Sequence, residues 1–156
     1  MQRPVEARKD GFLISTDKSL LQIDVIHSYL SGESYWAEHI PRDLVEKSVE
    51  NSLCFGIYEE NGQQVGFARV ITDFATFAYL ADVFVLQNRR GLGLSKWMME
   101  VILSHPGLQQ IRRMMLMTLD AQGLYSQFGF TVWEYPERCM SRRIGKTYAG
   151  INEAHS

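Results

Sequence analysis

Apolar side chains recur every three or four residues in three stretches of the chain, a spacing that predicts amphipathic helices. The first stretch lies in LLQIDVIHSYL, residues 20–30, behind two candidate N-caps, Asp17 and Ser19, and is predicted to end at Gly32. The second is RDLVEKSVENS, with Pro41 in its first turn. The third has an apolar stripe formed by Leu94, Trp97, Met98, Val101 and Ile102.

Runs with strand character lie between and after these helices. The turn signal ENGQ predicts a hairpin within LCFGIYEENGQQVGFARVITDF, residues 53–74. A short helix is predicted in DAQGLYSQF, with Asp120 as its N-cap. The other predicted strands are FLIS at 12–15, ATFAYLADVFVL at 75–86, RRMMLMTL at 112–119, FTVW at 130–133 and RCMSRR at 138–143.

The order of these elements predicts the fold class. Residues 78–119 form a strand–loop–helix–strand unit, which indicates a right-handed parallel crossover, whereas the hairpin implies antiparallel neighbours. We therefore predict an α/β (α+β) fold with a mixed, mostly antiparallel sheet of six to seven strands and helices on both faces. The chain is predicted to form a single domain over 1–156, with its core at about 10–142 and a weakly ordered tail at 143–156.

Composition narrows the function classes. With 16 basic and 18 acidic residues the formal net charge is −2, so we expect no overall attraction to nucleic acid or anionic lipid. No apolar run is long enough to span a membrane, and MQRPVEARKDGF has no apolar stretch typical of a secretory signal. We expect a cytoplasmic protein without membrane or nucleic-acid partners.

No metal site is expected from the sequence. Cys54 and Cys139 are far apart, and none of the four histidines pairs with another His or Cys at a ligand spacing. Both cysteines lie in apolar stretches, so we predict buried free thiols.

The chemistry concentrates in QNRRGLGLSKWMM, residues 87–99, between a predicted strand and a predicted helix. Gly91 and Gly93 allow positive φ and a close backbone approach to a ligand, and the free N–H groups of a helix N-terminus favour an anion. Arg89, Arg90 and Lys96 add positive charge. The loop matches neither the P-loop spacing nor the dinucleotide fingerprint, because Lys96 stands where the latter needs its third glycine. The loop therefore predicts a phosphate cradle of another type.

Two motifs resemble those of the GNAT N-acetyltransferases. The acetyl-CoA loop of that family reads roughly Arg or Gln-x-x-Gly-x-Gly or Ala, which Arg90-Gly91-Leu92-Gly93-Leu94-Ser95 fits with the small Ser95 in the last place. The family's Ala-x-x-Leu-Tyr-x-x-x-Gly-Phe segment is matched by Ala121, Leu124, Tyr125, Gly129 and Phe130. The resemblance covers about residues 50–135. It departs from the family at Ser95 and at Thr118, where many members have Asn.

The resemblance implies a GNAT-like fold and transfer of an acetyl group from acetyl-CoA to a primary amine of a small molecule or peptide, by direct attack in a ternary complex. It implies an acyl-donor site at Val83, Val85, Arg90, Gly91, Leu92, Gly93, Leu94 and Ser95, with the pantetheine arm pairing beside Val83 and Val85 as an added strand. It points to an amine groove near Tyr35, Trp36, Asp73 and Phe77. A non-catalytic module that binds acyl-CoA or a partner is the alternative, and a homodimer is compatible with the sequence.

For the catalytic groups, the resemblance implies Tyr125 as the acid that protonates the leaving thiolate. This donation is uphill by roughly 2 kcal/mol unless the site lowers the pKa of the tyrosine. A carboxylate can relay the proton that the amine must lose. Asp82 is the first candidate and Asp73 the second, while a pairing of Asp82 with Arg69 or a chain of waters is the open alternative.

Overall fold

The computed structural model describes residues 3–145 and 147–149. Its strands are β1 (Glu6–Lys9), β2 (Phe12–Ser15), β3 (Leu53–Tyr58), β4 (Gln64–Thr72), β5 (Phe77–Val85) and β6 (Arg113–Leu116). They form one six-stranded sheet in chain order. Neighbouring strands are antiparallel except β5 and β6, which run parallel. This confirms the predicted mixed, mostly antiparallel sheet.

The β3–β4 hairpin forms where the sequence ENGQ predicts it. The Gly62 N–H donates to the Glu59 carbonyl over 2.9 Å, and Gly62 has φ +87°. Glycine adopts this left-handed conformation without steric cost, so the turn can close tightly between two apolar strands.

Helices cover both faces of the sheet, as predicted. They are α1 (Ile23–Gly32), α2 (Arg42–Glu50), α3 (Leu94–Leu103) and α4 (Gln122–Ser126). One core cluster joins the apolar stripe of α3 to the sheet, and it includes Met98 and Ile102, both fully buried. A second cluster joins α1 and α2 to the other face, around Ile26 and Val45. Since each helix buries one apolar stripe, the two clusters enclose the sheet as two separate layers.

Strand β5 changes the face it presents partway along its length. The register pairs Arg69 with Ala81 and Phe67 with Phe84, so three steps on β5 match two steps on β4. Leu80 packs in the α3 cluster but Phe84 packs in the α1–α2 cluster. An extra residue in one strand is a β-bulge, and because side chains alternate along a strand it reverses the facing of those that follow.

The parallel pairing of β5 with β6 stops just before this bulge. The last paired residues are Leu80 and Leu116, whereas β5 continues to Val85. In the part of the chain that the structure describes, no strand borders residues 81–85 on the β6 side. The sheet is therefore split between β5 and β6, and the open edge of β5 forms one side of the split.

Several local predictions are corrected. FTVW and RCMSRR are not strands, and a short strand at Glu6–Lys9 was not predicted. Asp120 is not the cap of α4, because Ala121 holds that position without a side-chain hydrogen bond. Cys54 is buried as predicted but Cys139 is exposed. Most of the tail predicted to be weakly ordered, 143–156, lies outside the described residues.

Candidate active site

The split between β5 and β6 opens into a cleft of about 1260 Å³. Side chains from the α1–α2 connection, α2, β4, β5, the α3 loop and the segment after β6 line it. Among the predicted site residues, those that reach it are Tyr35, Trp36, Asp82, Val83, Val85, Arg90, Ser95 and Tyr125. Gly91, Leu92, Gly93 and Leu94, which were predicted to contact the acyl donor, are not among the residues that line it.

The loop before α3 presents backbone N–H groups rather than side chains. Gly91 and Gly93 have φ +83° and +75°, and a Cβ atom added at either would meet no atom within 4 Å. Gly93 occupies the N-cap position without a side-chain cap. Within residues 3–145 and 147–149, no acceptor takes a hydrogen bond from the N–H groups of residues 91–96. Free N–H groups at a helix N-terminus, with open space in front of them, suit an anion.

The arginines of this loop are engaged elsewhere. Arg89 pairs with Glu59. Arg90 donates from Nε to the Val85 carbonyl over 3.1 Å and from Nη2 to the Tyr29 hydroxyl over 2.9 Å, and its backbone N–H donates to the Gln87 carbonyl. The free backbone donors therefore begin at Gly91, one residue later than the predicted cradle.

Tyr125 lies at the first core cluster and borders the cleft. Its side chain is buried, packed edge-on against Phe130. Burial, and to a smaller extent the neighbouring Tyr35, raises the pKa of Tyr125 to about 12. Proton donation to the thiolate would be easier with a lowered tyrosine pKa, but the environment acts in the opposite direction because a buried phenolate loses its hydration.

Asp82 sits in the bulge of β5 with φ +54°, a conformation uncommon outside glycine. Its Oδ1 accepts a hydrogen bond from the Trp36 indole Nε1 over 2.8 Å, and its Oδ2 accepts one from the Arg69 Nε over 2.8 Å. The Asp82 and Arg69 side chains are only 10% and 15% exposed. Arg69 also donates to the Ser52 hydroxyl over 3.2 Å. Both carboxylate oxygens thus have partners in a largely buried ion pair.

The two aromatic residues of the α1–α2 connection touch opposite sides of the cleft. While Trp36 contacts Asp82 on β5, the Tyr35 hydroxyl accepts a hydrogen bond from the Leu119 N–H over 3.0 Å, beyond the end of β6. The two rings pack edge to face, with centroids 5.1 Å apart. This connection therefore bridges the split.

Two of the predicted amine-site residues lie away from the cleft. Asp73 caps its own turn: its carboxylate accepts from the N–H groups of Ala75 and Thr76 and from the Thr76 hydroxyl. These bonds, led by the hydroxyl, hold the Asp73 pKa well below its usual range. Phe77 begins β5 beside Arg113 and does not line the cleft.

Sequence reasoning missed Tyr79 as a residue of the cleft. Tyr79 lines the cavity on β5, and burial together with the nearby Asp82 charge raises the pKa of its phenol. The sequence spacing of Tyr79 and Asp82 does not predict that both line the cleft, because the bulge in β5 decides which side chains share a face. In the described residues no group of three or more His, Cys, Asp or Glu side chains could hold a metal ion.

Comparison with known proteins identifies the family. The model of the acetyltransferase (GNAT) domain matches residues 50–132, which is more than half of the chain. The chain belongs to the GNAT acetyltransferase family. An inferred acetyltransferase of Gibberella zeae is 35% identical over 144 residues, covering 80% of this chain and 81% of that protein. These findings confirm the resemblance drawn from the two motifs and the enzyme class it implied.

Solved structures of other GNAT proteins agree with the fold. An inferred GNAT acetyltransferase from Xanthomonas campestris pv. campestris is 49% identical, with a TM-score of 0.85 over 88% of this chain and 96% of that chain. The glucosamine-6-phosphate N-acetyltransferase from Arabidopsis thaliana is 17% identical, with a TM-score of 0.56 over 86% of this chain and 97% of that chain. At that identity the likeness concerns the fold alone.

No helix among the described residues is long and apolar enough to cross a membrane.

Proposed function

We propose that this GNAT protein transfers an acetyl group from acetyl-CoA to the primary amine of a small molecule or peptide, both substrates being bound in the cleft at the same time. The observation that carries the proposal is that two features meet at the cleft. The open edge of β5 beyond Leu80 lines it, and the loop with the free N–H groups of residues 91–96 borders it through Arg90 and Ser95.

These features suit the two chemically different parts of the acyl donor. The pyrophosphate would accept hydrogen bonds from the loop before α3, where the helix dipole also favours negative charge. The pantetheine amides would pair with free backbone groups along the edge of β5 near Val83, as an added strand does. The Val85 carbonyl already accepts from Arg90, so at this residue the N–H is the group left for the arm.

Tyr125 is the proposed proton donor. As the amine nitrogen bonds to the acetyl carbon and the C–S bond breaks, the departing thiolate takes the phenolic proton of Tyr125. The proton that the acylated nitrogen releases returns through water to the tyrosinate, which restores Tyr125 for the next turnover. With a tyrosine pKa of about 12 and a thiol pKa of about 8.5, this transfer is uphill by roughly 5 kcal/mol. That cost fits within the total barrier of roughly 16–17 kcal/mol that corresponds to a turnover of about 10 per second.

The residues on the amine side of the cleft support a mechanism in which the amine loses its proton to water and attacks in its neutral form. A primary amine with a pKa near 10.4 costs roughly 4.6 kcal/mol to deprotonate at pH 7. Both oxygens of Asp82 already accept hydrogen bonds, and Asp73 lies outside the cleft. We therefore propose that water carries this proton away, and that Tyr35, Trp36 and Tyr79 contact the amine.

The test is a screen for thiol release from acetyl-CoA across small amines, amino acids and peptides, preceded by calorimetric titration with acetyl-CoA. We expect saturable binding and turnover with at least one class of amine. Absence of acetyl-CoA binding at millimolar concentration would contradict the proposal. Tight binding without turnover on any amine would instead identify a non-catalytic acyl-CoA-binding module.

A further inference from the structure

Asp82 connects the strand proposed to hold the acyl donor to the segment proposed to contact the amine. Its backbone lies in the bulge that follows the last pair between β5 and β6, with φ +54°. Its side chain contacts Trp36, which belongs to the α1–α2 connection and is 46 residues away in sequence. A single residue therefore contributes to both sides of the cleft.

The contacts around Asp82 leave its carboxylate little freedom. Trp36 and Arg69 donate to different oxygens at 2.8 Å each, and Arg69 is held in turn by Ser52 at 3.2 Å. The ion pair is largely buried, where such hydrogen bonds are stronger than in water because the local dielectric is low. Because both of its oxygens already accept hydrogen bonds, this carboxylate is well placed to position its partners and poorly placed to take a proton from the substrate.

The α1–α2 connection is held from both sides of the split. Trp36 anchors it to β5, and the Tyr35 hydroxyl anchors it to the Leu119 N–H after β6. Trp36 is 40% exposed and Tyr35 57% exposed, so core packing alone does not fix these rings. Their position depends on the two hydrogen bonds, and the stronger of the two is the one to the charged carboxylate.

We infer that Asp82 is a positioning residue that joins the bulged strand and the Trp36 segment into one unit, rather than the base that deprotonates the amine. Binding of the acyl donor along β5 then changes the environment of Trp36, and loss of the Trp36–Asp82 bond weakens amine binding. This inference rests on the proposed function for its kinetic consequences, while the link between β5 and Trp36 can be measured without turnover.

The kinetic test uses Trp36→Phe, which removes the indole N–H and retains an aromatic ring. A hydrogen bond within the protein to a charged group favours the position it holds by about 10-fold or more. If the amine site depends on that position of Trp36, we expect the amine KM to rise about 10-fold. The acid limb of the pH–rate profile should keep its apparent pKa. A shift of that limb to higher pH would instead identify Asp82 as the base that takes the amine proton, which would overturn the inference. An unchanged amine KM would also overturn it.

Asp82→Asn tests the same bond from the other side. Asparagine tolerates positive φ and keeps the shape of the side chain, but its amide nitrogen accepts no hydrogen bond. We expect the one remaining oxygen to accept from the charged Arg69, which leaves Trp36 without an acceptor. Since Trp36→Phe and Asp82→Asn break the same contact, we expect the double variant to raise the amine KM no more than Asp82→Asn alone. Effects that multiply would mean that the two residues act independently, contrary to the inference.

A binding measurement that requires no turnover tests this inference independently of the proposed function. The three tryptophans give three indole N–H resonances in a nitrogen-15 NMR spectrum, and Trp36→Phe assigns one of them. Titration with coenzyme A should shift the Trp36 resonance in the wild type. If coenzyme A binds by calorimetry and this resonance does not move, the link between β5 and Trp36 is wrong, whether or not any amine is acetylated. Should Asp82→Asn fail to fold, this experiment and Trp36→Phe still decide the matter.

Discussion

The two sides of the cleft are built from different parts of the chain. On the side proposed for the acyl donor, the groups that matter are backbone N–H groups in a single short stretch, residues 91–96, next to the open edge of β5. On the side proposed for the amine, the groups are side chains that come together from α1–α2, β4 and β5, and they bind each other through Asp82. A backbone site tolerates many side chains, whereas a side-chain site changes its chemistry with each substitution.

This difference explains why the loop geometry on the donor side was easier to predict. Gly91 and Gly93 are close in sequence and mark a conformation that few other residues adopt, so the motif carries the geometry with it. Asp82 is 13 residues from Arg69 and 46 residues from Trp36, and the three meet only because a bulge turns Asp82 toward α1 and α2. The pattern of apolar residues in β5 does not predict that bulge.

The largest expected effect is at Gly93. Gly93→Arg places a side chain in the open space before the loop and strains a backbone at φ +75°. We expect acetyl-CoA affinity to fall by more than about 100-fold, since the added atoms occupy the place of the ligand and a non-glycine residue at this φ costs about 1–2 kcal/mol. Isothermal titration calorimetry with acetyl-CoA measures the change.

The matched control for Gly93 is Gly62→Arg. Gly62 has φ +87° and equally open surroundings, but it lies in the β3–β4 turn. The backbone strain is therefore similar while the proposed phosphate site is untouched. If Gly62→Arg weakened acetyl-CoA binding as much as Gly93→Arg does, strain rather than occupancy would explain the loss.

Tyr125→Phe should lower kcat by about 100-fold or more and leave the Kd for acetyl-CoA unchanged, because general acid catalysis typically contributes 100- to 10,000-fold. The pKa of Tyr125 is about 12, so the phenol stays protonated throughout the usual assay range. The wild-type pH–rate profile should accordingly show no loss of activity from this group below about pH 11. Steady-state kinetics from pH 6 to about 10 tests both statements, and a kcat unaffected by the substitution would remove Tyr125 as the acid.

Tyr35→Phe should have a smaller effect on the amine side. The substitution removes the oxygen that accepts from the Leu119 N–H, one neutral hydrogen bond worth about 0.5–1.5 kcal/mol. We expect the amine KM to rise about 2- to 10-fold with little change in acetyl-CoA affinity. A change confined to acetyl-CoA affinity would place the Tyr35 segment on the donor side instead.

Asp73→Asn should change acid stability and leave catalysis alone. The Asp73 pKa is depressed by the bonds within its turn, so the carboxylate stabilises the fold above its unfolded pKa of about 3.9, and this contribution is lost as the pH falls through the folded value. The wild-type thermal midpoint should thus fall more steeply with acid than that of Asp73→Asn. Thermal unfolding between about pH 2 and 7 measures this slope, and any large change in amine KM would return Asp73 to the substrate site.

The sequence predicted the fold class and the central elements better than it predicted the elements near the ends of the chain. Periodicity identified α1, α2, α3 and the β3–β4 hairpin because each buries a regular apolar stripe. It failed for FTVW and RCMSRR, whose apolar alternation is not matched by a neighbouring strand: Val132 is 82% exposed and Met140 92% exposed. Strand propensity alone does not form a strand without a partner.

The split sheet has a consequence for handling the protein. An unpaired β edge with apolar neighbours is a site where other chains can add and begin aggregation, and the stretch of β5 beyond Leu80, unpaired on the β6 side, is such an edge. The Tyr35–Trp36 bridge covers part of it. If the acyl donor pairs there, coenzyme A should protect the purified protein both by mass action and by filling that edge, which makes it a natural additive during concentration and storage.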